Sequence, residues 1–397
     1  MAQSISQEAI GATGLPGATA ASRHAGATAS GAPTTGTFAV GDYVVDQTGA
    51  VYVCTVAGTP GTWQLSGVSV NENIAGKNAI INGGMDLNQR GASTYNIPQY
   101  AITYTLDRWF GDARGSGTNY TMSQVSSGLT GIQYALRMQR NSGSTDTVGC
   151  WFGTSLETKN SIPMAGKVIT FSFYYRTGAN YSSTSFGIAL YTGTGTDENW
   201  ANGFTGQANV VNTTISPTAS SGWLRYAATA LVGSTATEIG LQFTYAGTGT
   251  AGANDYFDIT GVQLEIAPQA TPFSRAGGSI GAELALCQRY YYQASPSGIY
   301  GSLSATGIGT GTGGANISFV LPVSMRTVPS SVNYSNLLVS DTSNNIAVTG
   351  VSISGNGSSL NIVNTDISFT SGGTQFRPYF LRSNATTSAY IGFSAEL

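Results

Sequence analysis

At 397 residues the chain is too long for one ordinary domain, and two or three domains are expected. Charged residues make up only 9% of it, against roughly 25% in a typical soluble domain, yet a hydrophobic content of 41% excludes the composition of an intrinsically disordered protein. A net charge of −3 with 16 scattered basic residues argues against nucleic-acid binding, which needs clustered Lys and Arg.

The N-terminal part is predicted to comprise an arm, a small β module and a linker. Residues 1–30 are rich in Ala, Gly, Thr and Ser without a collagen period, which favours an extended arm. Residues 31–66 contain two β-branched and aromatic runs around a loop at 47–49, which is a hairpin pattern. Residues 67–79 are small and polar and indicate a linker. The module has too few residues for a large core of its own.

Residues 80–275 are predicted to form a β-sandwich, because short strand-like runs alternate there with Gly, Ser and Thr turns. The predicted strands are Ala101–Tyr104, Tyr134–Met138, Lys167–Arg176, Phe186–Tyr191, Trp223–Ala230, Glu238–Tyr245 and Tyr256–Ile266. Alternation along the third of these strands predicts that Ile169, Phe171, Phe173 and Tyr175 face the core. The fold class is therefore all-β and multidomain.

A short helical segment is predicted at residues 276–293, with the helix itself at 279–293. An apolar stripe at heptad a/d spacing runs along it. Its members are Ile280, Leu284, Cys287 and Tyr291. A helix this short is marginal alone, so the stripe must dock, either on a domain or on two symmetry mates around a threefold axis. Residues 294–397 return to strand-like runs with Gly-rich turns and predict a smaller C-terminal β domain.

Patterns for catalysis and metal binding are sparse. The only histidine, His24, lies in the arm, so no folded domain has the base for a Ser-His-Asp or Cys-His pair or a histidine ligand for zinc. Cys54, Cys150 and Cys287 lie far apart, which predicts buried thiols and no disulfide framework. Loop carboxylates can hold calcium in such sandwiches, but no EF-hand-like spacing supports it, so no metal or cofactor is predicted. No signal peptide and no apolar run of about 20 residues is visible, so membrane insertion is not expected.

The loop at residues 192–203 contains the residue types that bind sugars. Flat aromatic rings can cover the apolar faces of a sugar, and amide or carboxylate groups can take its hydroxyls. The candidate ligand-binding residues are Tyr191, Asp197, Asn199, Trp200 and Asn202. Trp200 can instead fold back onto the sandwich, and this packing interpretation is the commoner fate of such a residue.

Four stretches stand out as motifs. They are Lys77-Asn-Ala-Ile-Ile-Asn-Gly-Gly-Met-Asp-Leu-Asn-Gln-Arg-Gly91, Asp107-Arg-Trp-Phe110, Gly261-Val-Gln-Leu-Glu-Ile-Ala-Pro-Gln-Ala-Thr-Pro-Phe-Ser-Arg275 and Glu283-Leu-Ala-Leu-Cys-Gln-Arg-Tyr-Tyr-Tyr292. These stretches resemble the segments that bracket and follow the sandwich domain of tailed-bacteriophage tail-fibre and related virion fibre proteins. The resemblance implies a jelly-roll like that of carbohydrate-binding modules and a homotrimer. The module at residues 31–66 is similar to a unit near the start of phage virion proteins.

The resemblance implies a virion structural protein, made in the host cytoplasm and released by lysis. The favoured interpretation is a trimeric tail fibre or receptor-binding protein, anchored to other virion proteins through residues 1–66 and attaching to a host-surface glycan. The alternative is a head fibre or capsid decoration protein with the same modules, anchored to the capsid. A polysaccharide-degrading tailspike is disfavoured, because the acidic pairs Asp197-Glu198 and Asp255/Asp258 are poorly placed and no long β-helix repeat is visible. No enzymatic activity is therefore predicted.

Overall fold

The chain folds as two units, Met1–Asn71 and Glu72–Leu397. In this computed structural model, the described residues are 23–47, 49–66, 75–115, 119–354 and 357–397. The first 22 residues of the predicted arm and residues 67–74 of the predicted linker lie outside them.

The N-terminal unit contains β1 (His24–Thr28), β2 (Tyr43–Asp46), β3 (Val51–Val56) and β4 (Thr62–Leu65). They form one sheet in that order, in which only the β1–β2 pair is parallel. The predicted hairpin is confirmed as β2 and β3. The expectation of an arm throughout residues 1–30 was wrong for β1, because β2 offers it backbone hydrogen bonds that composition does not reveal. Val44 and Cys54 are buried within this unit.

Twelve strands build the central sandwich. In chain order they are β5 (Tyr95–Ile97), β6 (Thr103–Tyr104), β7 (Phe110–Ala113), β8 (Tyr120–Leu129), β9 (Ile132–Arg140), β10 (Cys150–Ser155), β11 (Val168–Thr177), β12 (Phe186–Gly193), β13 (Ala208–Ile215), β14 (Leu224–Leu231), β15 (Glu238–Tyr245) and β16 (Tyr256–Glu265). Sheet I has the order β13-β12-β15-β10-β7-β6, and sheet II has the order β14-β11-β16-β9-β8-β5. One helical turn, α1 (Thr158–Ser161), continues into a 3-10 helix at Ile162–Met164.

The core of the sandwich lies between the two sheets and is rich in aromatic rings. On β11 the residues Ile169, Phe171 and Phe173 belong to it and the half-buried Tyr175 packs against it, which confirms the predicted inward face. From sheet I, Phe243 packs against both phenylalanines of β11, with its ring 4.9 Å from that of Phe173. Apolar side chains from the inner faces of the central strands join the two sheets.

The first and third motif stretches, residues 77–91 and 261–275, are hydrogen-bonded to each other. The buried Asn78 amide donates to the carbonyls of Val262 and Ser274 at 2.9 and 3.0 Å. Asp86 and Arg275 form an ion pair with an N–O distance of 2.8 Å. These side chains close the domain by tying its opening segment to its last strand, so their role here is structural.

The remainder contains α2 (Ile280–Gln288), β17 (Tyr291–Ala294), β18 (Ser302–Gly309), β19 (Gly314–Val320), β20 (Ser331–Ser335), β21 (Leu337–Ser340), β22 (Asn345–Ile353), β23 (Ile362–Phe369), β24 (Pro378–Ser383) and β25 (Tyr390–Ser394). Six of these strands form a closed barrel in the order β18-β19-β23-β22-β21-β24. A three-stranded sheet of order β17-β25-β20 packs with the barrel in one core that includes Phe319 and Phe393. The fold class is all-β, as predicted.

The predicted helix at 279–293 was too long, and its stripe is not one continuous face. The helix ends at Gln288, the chain turns, and Tyr291 belongs to β17. Cys287 and Tyr291 are buried inside their own chain, whereas Ile280 is 52% exposed and Leu284 is half-buried. Two of the four predicted trimer-contact residues are therefore already covered. The trimer itself stays a prediction.

Candidate functional site

The loop between β12 and β13 packs onto sheet I. It contains a 3-10 helix at Trp200–Asn202, and the Trp200 side chain is buried. The indole N–H donates to the Thr154 carbonyl at 3.1 Å. A Cβ added at Gly240 would lie 2.6 Å from the indole, so glycine is needed for this close approach. Of the two interpretations of Trp200, the structure supports packing.

Asp197 and Asn199 connect this loop to neighbouring segments. Asp197 accepts from the Thr158 N–H at 3.0 Å and pairs with Arg326 at 2.9 Å. Burial opposes ionisation of the Asp197 carboxyl, but these contacts outweigh burial and lower its pKa. Asn199 donates to the Leu397 carbonyl at 3.3 Å. Both side chains hold the C-terminal β domain against the sandwich. Their polar groups are therefore already hydrogen-bonded within the chain.

The other two predicted ligand residues lie apart from each other. Asn202 is exposed at the end of the 3-10 helix. Tyr191 is half-buried on the outer face of sheet I, and its hydroxyl donates to Gln242 at 2.5 Å. The Tyr191 ring packs against Trp200, with 6.1 Å between ring centres, but the five predicted residues do not form one open site. Tyr191 is the one that borders a candidate binding surface.

That surface is a ledge on the outer face of sheet I. We define the ledge by Trp151, Gly187, Ala189, Tyr191, Gln242 and Thr244. Opposed residues of antiparallel neighbours share a face, and the register places Thr244 between Gly187 and Trp151. Trp151 and Tyr191 are both half-buried. The ledge thus combines aromatic edges, a floor of small residues and the Thr244 hydroxyl. The Gln242 amide beneath them is 5% exposed, and its oxygen accepts from Tyr191.

An acid–base pair borders the ledge beside Trp151. Asp112 lies opposite Trp151 on β7 and is only 3% exposed. The Arg114 guanidinium lies 3.5 Å from the centre of the Trp151 ring, with Nη2 2.6 Å from Asp112 Oδ2. The angles of this ion pair do not make a hydrogen bond, and Asp112 Oδ1 and the Nε and Nη2 atoms of Arg114 are buried without hydrogen-bond partners. Burial raises the pKa of Asp112, and the Arg114 charge opposes that rise.

Sequence reasoning missed Asp112, Arg114 and Trp151 because β7 and β10 were not predicted as strands. A usable signal existed in Cys150-Trp-Phe-Gly-Thr-Ser155, where Trp151 lies between the apolar residues Cys150 and Phe152, both of which are buried. Such a pattern places an aromatic ring on the outer face of a strand.

Three of the four motif stretches converge on Glu396. Arg108 pairs with Glu396, and its guanidinium lies 3.6 Å from the centre of the Tyr290 ring. Arg90 lies 3.3 Å from Glu396 and covers the Tyr291 ring at 3.8 Å. This junction joins the sandwich to the last residues of the C-terminal β domain. Its charged groups are paired with each other within the chain.

Other charged groups of the sandwich are also paired. Arg140 is fully buried, pairs with Asp255 and donates to the Ser144 and Thr248 carbonyls at 2.8 and 3.1 Å. Its guanidinium therefore occupies an oxygen-lined space of the kind that a cation prefers. Asp258 pairs with Arg137 and Arg176. Neither member of the acidic pair Asp255/Asp258 is a free carboxylate.

The three cysteines are free and buried, as predicted. Among the described residues, no group of three His, Cys, Asp or Glu side chains could hold a metal ion. In that same part of the chain, the helices are too short or too polar for any to cross a membrane.

No known protein-family profile matches this chain, and no curated protein matches it. Solved structures do show similarity to this all-β protein. A CBM4 domain has 16% identity, covers 47% of this chain and 98% of its own, and has a TM-score of 0.29. TmCBM61, solved with β-1,4-galactotriose, has 12% identity, coverages of 48% and 99%, and a TM-score of 0.29. The enzymatically active domain of tailspike protein 4 from bacteriophage CBA120 has 11% identity, coverages of 50% and 24%, and a TM-score of 0.31.

Proposed function

We propose that this chain is a glycan-binding fibre protein of a bacteriophage virion and that the ledge holds the glycan. The observation that carries the binding proposal is that Trp151 lies opposite Thr244, and Tyr191 bonds Gln242, on the outer face of one sheet. Aromatic rings with a few polar groups are the usual composition of a small-ligand site. The four motif stretches support the virion part of the proposal.

The binding proposal is tested with a glycan array and the Trp151→Ala variant of the full chain. We expect a loss of at least about tenfold in affinity, or ~1.4 kcal/mol, because the ring supplies apolar contact area. The matched control is Trp223→Ala, since Trp223 is also half-buried and lies under an arginine, at the other sheet. Equal effects of the two variants, or no glycan bound by the unaltered chain, would count against the ledge.

The fibre is proposed to act as a homotrimer. Three weak ledges on one particle would bind a repetitive surface far more tightly than one ledge, by effective concentration. Light scattering of the purified chain should give three times the mass of 40.9 kDa. A monomer mass would remove the trimer and the multivalent argument together.

The proposed position is the tail, where the fibre would attach the virion to its host. Immunogold labelling with antibody to residues 294–397 should mark the tail tip of intact virions. Labelling over the capsid would replace this proposal with a head fibre or capsid decoration protein that has the same modules.

The proposed role is binding without turnover. Incubation of the chain with host polysaccharide should release no reducing ends over hours. Sustained release would instead favour a polysaccharide-degrading tailspike.

A further inference from the structure

The Asp112–Arg114 pair has an unusual hydrogen-bond deficit. Eight buried side-chain atoms lack a partner among the described residues, and three of them belong to this pair. A buried polar atom without a partner is costly, so native structures keep few of them. Their clustering beside Trp151 therefore indicates a place where a bound group completes the hydrogen bonds.

A second pair of the same composition shows that the deficit is not a general feature of such pairs. On sheet II, Arg137 covers the Tyr256 ring at 3.4 Å and makes two hydrogen bonds to Asp258, at 2.8 and 3.0 Å. Arg176 donates to the same carboxylate. No buried side-chain atom of Arg137 or Asp258 lacks a partner there. Among the described ion pairs, Arg140–Asp255 and Arg90–Glu396 each leave one buried arginine nitrogen without a partner, whereas the pair at the ledge leaves three atoms, one of them on the carboxylate.

Charge limits which ligand can complete the pair at the ledge. A carboxylate or phosphate would satisfy Arg114 but would be repelled by Asp112 Oδ1, which has no donor of its own. An ammonium group would satisfy Asp112 and be repelled by Arg114. Two adjacent hydroxyls meet both needs, because one can donate to the carboxylate while the other accepts from the guanidinium.

We propose that Arg114 is a movable cover on Trp151 and that a neutral sugar with adjacent hydroxyls displaces it. The sugar would lie on the uncovered indole face, with its hydroxyls shared between Asp112 and Arg114. Arg114 is the part that can move, because its side chain is 22% exposed whereas Asp112 is buried. When Arg114 covers Trp151, atoms of Asp112 and Arg114 stay unpaired, which disfavours this closed arrangement. A ligand that pairs these atoms therefore favours the open arrangement, in which Arg114 has moved off the ring. The inference rests on the proposed glycan site and specifies its ligand class.

The test uses the full chain and an array of immobilised neutral and acidic oligosaccharides, read before and after periodate oxidation. Periodate cleaves the bond between carbons that bear adjacent hydroxyls. We expect binding to neutral sugars, loss of that binding after oxidation, and at least about tenfold weaker binding by Asp112→Asn and by Arg114→Lys. Arg114→Lys keeps the charge but lacks the planar fork. Arg137→Gln is the matched control and should bind as the unaltered chain does.

The outcomes separate this inference from the function on which it rests. Binding that survives periodate, or is confined to acidic sugars, overturns the adjacent-hydroxyl inference and leaves glycan binding intact. Binding that neither Asp112→Asn nor Arg114→Lys weakens also overturns the adjacent-hydroxyl inference and leaves glycan binding intact. If Asp112→Asn melts early, Arg114→Lys still decides the point, because a folded variant with full affinity contradicts it. No binding by the unaltered chain overturns both proposals.

Discussion

The environment of Glu238 leads us to predict that the stability of the chain depends on pH. Its side chain has no exposed surface, Oε1 accepts from the Asp197 N–H at 2.7 Å, and Oε2 has no partner. Burial raises the pKa of Glu238 above its ordinary value. The folded state therefore holds the proton more tightly than the unfolded state. As pH rises from the ordinary glutamate pKa through the raised one, the free energy of unfolding falls by this contribution.

Glu238→Gln should remove that contribution because glutamine keeps the Oε1 acceptor and carries no charge. We expect the variant to be more stable than the unaltered chain by about 1 kcal/mol at pH 8, with the difference shrinking as pH falls towards the ordinary glutamate pKa. Thermal melts at several pH values measure it. Glu198→Gln is the control of opposite sign, since hydrogen bonds from Thr205 lower the pKa of the exposed Glu198. A pH-independent difference for Glu238→Gln would contradict the assignment.

Gly240 makes a second prediction at this scale. Gly240→Ala would place its Cβ 2.6 Å from the Trp200 ring, so the ring and its loop must move. We expect a loss of about 1–3 kcal/mol of stability and a red-shifted tryptophan emission. Urea unfolding and fluorescence measure these effects. Gly233→Ala is the control, because no atom lies within 4 Å of its added Cβ; equal behaviour of the two variants would mean that Trp200 is not packed as described.

At the scale of elements, strands with strong apolar alternation could be predicted from the sequence, and the other strands could not. All seven predicted sandwich strands exist, because runs such as β11 bury one face continuously. β7 and β10 were missed because their outer faces carry Gly, Asp and Ser, which weakens the period. The residues of the proposed binding surface were predictable only where their strand was predictable. Tyr191 was found on a predicted strand, whereas Trp151 and Asp112 lay on strands without a clear pattern. Burial of Trp200 depends on two distant strands, which local sequence does not report.

The link between the sandwich and the residues that follow β25 can be tested at Glu396. Arg108 is 2% exposed and pairs with Glu396, so Glu396→Ala leaves a buried positive charge without its partner. We expect a loss of about 3–5 kcal/mol, measured by urea unfolding of the full chain. Asp366→Ala, at an exposed carboxylate on the barrel, should cost less than about 0.5 kcal/mol. Similar costs for the two substitutions would show that the junction contributes little.

At the scale of the whole molecule, the two units have separate interiors. The three hydrophobic clusters that include the sandwich and the barrel consist of described residues after Lys77. The N-terminal unit has its own buried residues, Val44 and Cys54. Because the larger unit contains all three clusters, we expect it to fold without the N-terminal unit. The proposed attachment and the proposed glycan binding can therefore be tested separately by cutting the chain between the two units.

Deletion of residues 1–66 should leave a folded, glycan-binding protein that is absent from virions. The fragment keeps every residue of the ledge and of the three clusters, so its main thermal transition should stay within about 2 °C of that in the full chain. Its proposed attachment module is gone, so virions assembled with it should lack it by immunoblot. The full chain carrying Trp151→Ala is the reciprocal control and should enter virions without binding glycan. Incorporation of the deletion variant would refute attachment through residues 1–66, and a fragment that failed to fold would refute the independence of the two units.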